Sequence, residues 1–225
     1  MVDENKRAAG LTRPTIIQTA LQLLDQVGLD GLTVRRLAAE LGVQSPALYW
    51  HFRSKQELLD QMADTIIRAA GMGPPHHGES WQDWLTRRAR AYRSSVLAHR
   101  DGARIVANAQ WLNPATIRTF DEELTAMVGR GFTPVLALRT ISALAYYVNG
   151  FVLQEQASRQ EDAKQPADQL AALAELLAGG ASAPLLVAIR EGGNPLGEQA
   201  FEHGLRALID GTAAALARQR SNHPA

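Results

Sequence analysis

A chain of 225 residues, 46% of them apolar, can bury a sizeable core in one large domain or two modest ones. Its 23 basic and 23 acidic residues cancel, so no global field favours nucleic acid and only a local patch would serve. The absence of cysteine excludes disulfides, thiolate metal sites and cysteine nucleophiles. No apolar run approaches the roughly 20 residues of a membrane span, and Met1 to Arg7 shows no signal-peptide core. A cytoplasmic protein with no membrane partner is expected.

The first periodic stretch sets Ile16, Ile17, Ala20, Leu21, Leu24 and Val27 at helical spacing, with Thr12 as cap, Pro14 in the first turn and Gly28 as stop. Thr33 caps a second helix that turns Val34, Leu37, Ala38 and Leu41 inward and ends at Gly42. Ser45-Pro46 opens a third, very short helix. Ser54 and Glu57 have the spacing of a capping box, and a fourth helix runs from there to about Ala70. Gly71 to Gly78 holds three glycines and two prolines, which places a domain boundary between 1–70 and 71–225, with the fourth helix as connector.

Beyond that break, Ser80 and Asp83 start a long helix reaching about His99, and Asp101-Gly102 turns the chain. Asn113-Pro114 and Thr133-Pro134 each pair a cap with a first-turn proline, predicting helices over 114–129 and 134–157. Residues 158–167 read as a polar loop. A helix over 168–178, a Gly-Gly break, a short helix near 184–191 and a last helix over 196–219 complete an all-α reading. On the last helix Gly197, Gly204 and Gly211 recur every seven residues, with Ala200, Ala207 and Ala214 three residues after each. Glycine costs a solitary helix about 1 kcal/mol relative to alanine. Such a stripe fits close approach of a second copy, and packing within one subunit remains the alternative.

Residues 33–55 carry Arg35, Arg36, Arg53 and Lys55 against Glu40 alone, a net of plus three. A short helix, a tight turn and a second helix with a polar and aromatic tip suit a DNA groove. Thr33, Arg35, Gln44, Ser45, Pro46, Ala47, Tyr49, Trp50, His51 and Lys55 are the candidate contacts. Arginine can hold guanine bidentately and alanine can touch a thymine methyl, which casts Arg35 and Ala47 as base readers. Thr33, Tyr49, His51 and Lys55 suit phosphate or sugar. On spacing alone, Tyr49 and Trp50 fit ordinary core aromatics equally well.

The segment from Thr12 to Ile67 resembles the N-terminal domain of TetR-family repressors. Gly28-Leu-Asp-Gly-Leu-Thr33, Arg36-Leu-Ala38, Leu41-Gly-Val43, Leu48-Tyr-Trp-His51 and Lys55-x-x-Leu-Leu59 carry the likeness. Gly78-Glu-Ser-Trp-Gln-Asp83, His99-Arg-Asp-Gly-Ala103, Gly131-Phe132 and Gly150-x-Val-Leu153 extend it to the tetracycline repressors within that family. The resemblance implies a three-helix helix-turn-helix head on a larger helical ligand-binding and dimerisation domain. It also implies a homodimer joined through the eighth and last helices, a palindromic operator, and release of that operator by a small ligand.

The chain departs from that pattern where chemistry is decided. Val34, Ser45 and Ala47 stand where the tetracycline repressors carry threonine, glutamine and threonine, so a different operator is expected. Val106 replaces a metal-ligating histidine and Gln154 an acidic residue. Ala70 or Gly71 replaces a ring-clamping histidine, and Arg88, Glu123 and Ala109-Gln110-Trp111 replace other contacts. A hard cation needs oxygen or imidazole ligands, so no magnesium, no other cofactor and no tetracycline response are expected. A pocket of Tyr92, Val106, Gln110, Trp111, Phe120, Leu138, Ile141 and Tyr146, with Arg88 and Asn149 as polar anchors, suits a flat hydrophobic effector. His76-His77 lacks ligand spacing, and no nucleophile elbow, phosphate loop or dinucleotide fingerprint is present, so an enzyme is not expected. The chain therefore reads as a ligand-responsive repressor, with an activator or a helical interaction protein as the alternatives.

Overall fold

A computed structural model describes residues 11–161, 184–192 and 195–222. Ten helices appear among them: α1 (Arg13–Gly31), α2 (Val34–Glu40), α3 (Ser45–Leu48), α4 (Lys55–Ala69), α5 (Trp81–Leu97), α6 (Gly102–Ala107), α7 (Pro114–Val128), α8 (Pro134–Glu161), α9 (Pro184–Gly192) and α10 (Glu198–Asn222). No strand occurs among the described residues, so the all-α expectation holds. The helix expected over 168–178 and the following Gly-Gly break lie outside the described residues.

Caps set the helix starts. The side chains of Thr12, Thr33, Ser54, Ser80 and Asn113 each accept a first-turn backbone N–H, satisfying donors the helix itself leaves free. The expected capping box is offset by one residue. Ser54 Oγ accepts from Glu57 N, while Glu57 Oε2 accepts from Arg53 N rather than from the cap itself. α2 ends in a Schellman turn, with Val43 N–H on Ala38 O, Gly42 N–H on Ala39 O, and Gly42 at φ 66°.

Two elements differ from the sequence expectation. α6 follows the turn expected at Asp101-Gly102, and its six residues are too few to show a period in the sequence. α8 runs on through 158–161, the first four residues of the expected polar loop.

The head, α1–α3, closes over Leu21, Leu24, Leu37, Ala38, Leu48 and Phe52 and is carried on α4 through Leu58 and Met62. α4 in turn lies against α5 and α6, while α8 runs through the bundle against α5, α6, α7 and α10. Arg93 of α5 bonds Glu155 of α8 through two nitrogens and sits 4.4 Å over the Phe201 ring of α10, joining three helices. α8 is apolar enough over Pro134–Arg159 to span a bilayer by length and composition, longer than any run noted in the sequence, with a third of it buried.

A second joint ties head to bundle. Gly28 at φ 72° breaks α1 and frees the Leu29 N–H, which donates to Asp101 Oδ2 at 2.8 Å. Asp25 accepts the Arg100 N–H at 2.9 Å, and Asp30 pairs with Arg104 at 3.0 Å. The turn that receives them is tight, because a Cβ on Gly102 would overlap the Val96 carbonyl oxygen. Gly102→Ala should therefore lower unfolding free energy by about 1–3 kcal/mol in urea titration, the usual range for overpacking.

Candidate nucleic-acid interface and effector cavity

The reading head presents its candidate contacts outward. Thr33, Arg35, Gln44, Pro46 and Lys55 are exposed, and Tyr49 and Trp50 are 55% and 89% exposed. Ser45, Ala47 and His51 are half-buried, while Leu37, Ala38 and Leu48 hold α2 and α3 onto the core. The core-aromatic alternative for Tyr49 and Trp50 is thereby removed: the core aromatic of this segment is Phe52, with the Arg13 guanidinium 5.3 Å from its ring centre. Arg36 is turned back onto Gly31 O at 3.2 Å, so its role is to brace the head.

A cavity of about 160 Å³ lies in the bundle, lined by Ile67, Ala70, Met72, Arg88, Tyr92, Leu112, Phe120 and Ala145. Its wall is almost wholly apolar. Three expected residues, Arg88, Tyr92 and Phe120, are on it. Val106, Gln110, Trp111, Leu138, Ile141, Tyr146 and Asn149 are not. Trp111 is 77% exposed, and Leu138 and Tyr146 are 49% and 77% exposed on α8. α8 is apolar around most of its circumference, and the period of a helix does not say which apolar face looks inward. Ile141 is fully buried in the core, and Asn149 keeps a buried Oδ1 without a hydrogen-bond partner.

Arg88 is not a free anchor either. Its Nε and Nη2 both bond the fully buried Glu123 carboxylate, at 2.8–3.0 Å, and its guanidinium sits 5.6 Å from the Phe120 ring centre. Glu123 Oε1 also accepts the Gly73 N–H at 3.0 Å, and Trp84 Nε1 donates to Gly73 O at 3.0 Å. Gly73 of the Gly/Pro break is thus held through the peptide groups on both its sides. The charge inside the wall is consumed before any ligand arrives. Burial pushes the Tyr92 phenol up to about 12, so it stands as a neutral hydroxyl. Among the described residues no three acidic or histidine side chains gather as a metal site.

Sequence reasoning missed Ile67, Met72, Leu112 and Ala145 on the wall, and the buried carboxylates Asp60 and Asp64 on α4. Those two acids at i and i+4 lie on the side of α4 opposite Leu58, Met62 and Ile66, where charged residues read as a solvated face, so nothing in the helical period marked them as buried.

On the small-residue stripe, Gly204 has a cause within its own chain. A Cβ there would overlap the Tyr147 hydroxyl, which donates to Phe201 O at 2.8 Å. Gly197 precedes α10 and accepts its first bond from Phe201 N, and Ala200 is half-buried beside Tyr147. Ala207, Gly211 and Ala214 are exposed.

A compact helix-turn-helix head carried by a helical bundle with an internal apolar cavity defines a helix-turn-helix DNA-binding regulator. The profile for bacterial regulatory proteins of the tetR family matches residues 16–62, and that for the tetracyclin repressor-like C-terminal domain matches residues 74–216. The chain belongs to the TetR family, whose members are DNA-binding transcriptional repressors and not enzymes. The class C tetracycline repressor protein of Escherichia coli is 37% identical over 202 residues, covering 89% of this chain and 90% of that one. A possible TetR-family transcriptional regulator from Streptomyces coelicolor A3(2) is 37% identical with a TM-score of 0.76, over 91% and 100% of the two chains. The class A TetR in complex with 5a,6-anhydrotetracycline and magnesium is 34% identical with a TM-score of 0.69, over 91% and 99%.

Removing Arg88 alone would strand a carboxylate in the core. Arg88→Met should cost about 3–5 kcal/mol of stability. The double variant Arg88→Met/Glu123→Leu should recover much of that loss in the same denaturant series.

Proposed function

We propose that this chain is a homodimeric repressor, released from a palindromic operator by an uncharged hydrophobic molecule in the α4–α5–α7 cavity, and that tetracycline is not that molecule. The observation that carries the effector class is the Arg88–Glu123 pair. An apolar wall whose guanidinium is already neutralised offers an anion no partner, and an anion would have to be stripped of water to enter. Val106 and Gln154, in place of a metal ligand and an acidic residue, support the absence of a magnesium site. Tyr92 supplies the wall with a neutral hydroxyl.

In this reading the head spans residues 1–70, the effector and dimer domain 71–225, and the protein works in the cytoplasm as is typical of its family. Arg35, Gln44, Ser45 and Ala47 meet base edges, while Thr33, Pro46, Tyr49, Trp50, His51 and Lys55 hold the backbone. The exposure of all but the half-buried Ser45, Ala47 and His51 supports these roles. The dimer face is α8 with α10. Val135, Leu138, Tyr146 and Leu153 leave an apolar stripe uncovered on α8, and Ala207, Gly211 and Ala214 give a smooth neighbour on α10. A helix apolar on nearly all sides is stable in water only when covered, and a second copy supplies the cover.

Selection from random duplexes should return a palindrome distinct from the tetracycline operator. Arg35→Ala should weaken that duplex by about 1–3 kcal/mol and relax one position per half-site. A chain that retards no duplex, or retards all alike, would sink the reading. Tyr146→Asp should shift the sedimenting species from dimer to monomer. Titration with tetracycline and magnesium should leave protein fluorescence and operator affinity unchanged; micromolar quenching would overturn the effector assignment.

A further inference from the structure

Asp60 and Asp64 stand one turn apart on α4, each 4% exposed, and neither takes part in an ion pair among the described residues. Neutral donors satisfy them instead, two of them backbone N–H groups of one short segment. Asp60 Oδ1 accepts the Gln110 N–H at 2.9 Å and the Gln56 side-chain amide at 2.9 Å, and that amide also reaches Asn108 O at 3.1 Å. Asp64 Oδ1 accepts the Asn113 N–H at 2.9 Å and the Thr116 hydroxyl at 2.7 Å. The arch from Gln110 to Asn113 is therefore pinned to α4 at both ends. Leu112, between the pins, is part of the cavity wall, and Ile67, further along α4, and Ala70, which caps its end, are part of the same wall.

We infer that Asp60 and Asp64 are the positioning residues that transmit cavity occupancy to the reading head. An occupant that displaces Leu112 meets two choices. Either each carboxylate loses its backbone donor from the arch, or α4 moves with the arch. A buried carboxylate without donors is far costlier than a small rigid shift, so α4 follows. Its other end carries the head, through Leu58 in the head core and Glu57 on Arg13. The pins thus convert a push on one leucine into a displacement of the helix that bears α1–α3.

The inference rests on the repressor reading above, and its test requires no identified effector. Ala145→Phe, on α8 and outside both α4 and the arch, fills the cavity with a built-in occupant. Operator affinity would be read by fluorescence anisotropy on the selected duplex in the full chain. With native Asp64, and with Asp64→Asn, which keeps an acceptor oxygen, Ala145→Phe should weaken binding about tenfold, a typical coupling factor. With Asp64→Ala, the same substitution should weaken it less than about twofold, the double-mutant cycle isolating the link. Thermal melts would show which variants stay folded, and Ala145→Leu replaces the phenylalanine where it does not. A merely structural Asp64 would lower affinity in Asp64→Ala alone and leave the tenfold factor intact, which would overturn the assignment. So would native affinity in both Ala145 variants. A native chain that binds no duplex fails the repressor reading itself, and is told apart by that control.

Discussion

Glu123 has no exposed surface, and that single buried charge organises the centre of the molecule. A carboxylate taken out of water must find donors at once. It finds Arg88 across from α7 and the Gly73 N–H of the Gly/Pro break. Three consequences follow from one side chain. The guanidinium is withdrawn from ligand recognition, the chain after α4 is held at a defined peptide, and the cavity beside them is left apolar.

The head and the connector α4 depend on a related economy. Among the described residues Asp60 and Asp64 have no cationic partner, yet they remain buried because backbone N–H groups from Gln110 and Asn113 reach them. The two acids and Glu123 lie on either side of the same cavity wall, through Gln110–Asn113 and through Gly73 respectively. Cavity wall, linker and connector are therefore joined by hydrogen bonds, with the reading head at the far end of α4.

Much of this was legible in the residues. Thr12, Thr33, Ser80 and Asn113 announce helix starts because a short polar side chain before an apolar period has one good use there, and each makes the expected bond. The polar part of the head's outward tip was legible in its composition, whereas Tyr49 and Trp50 suit a core equally well by spacing and only the fold turns them outward. α6 was illegible because its six residues show no full period. The cavity was half legible. Arg88, Tyr92 and Phe120 were found, but Leu138 and Tyr146 were assigned inward on a helix whose two apolar faces look alike in sequence. Gly204 misled in another way: its missing side chain makes room for Tyr147, and a glycine does not name the neighbour it accommodates. The ion pair was hidden because Arg88 and Glu123 are 35 residues apart, and only the fold brings them together.

The joint at Gly28 has a separate consequence for evolution. The head is fastened to the bundle at two places, by the chain through α4 and by Asp25, Leu29 and Asp30 on the 99–104 turn. Two attachments fix an orientation where one would leave a swivel. In a two-fold assembly, orientation sets the distance between paired recognition helices and so the spacing of half-sites. In the proposed reading the letters of each half-site are met by other residues, Arg35, Gln44, Ser45 and Ala47. Spacing and sequence preference are thereby stored in separate parts of the chain, and a lineage can rewrite one while inheriting the other unchanged.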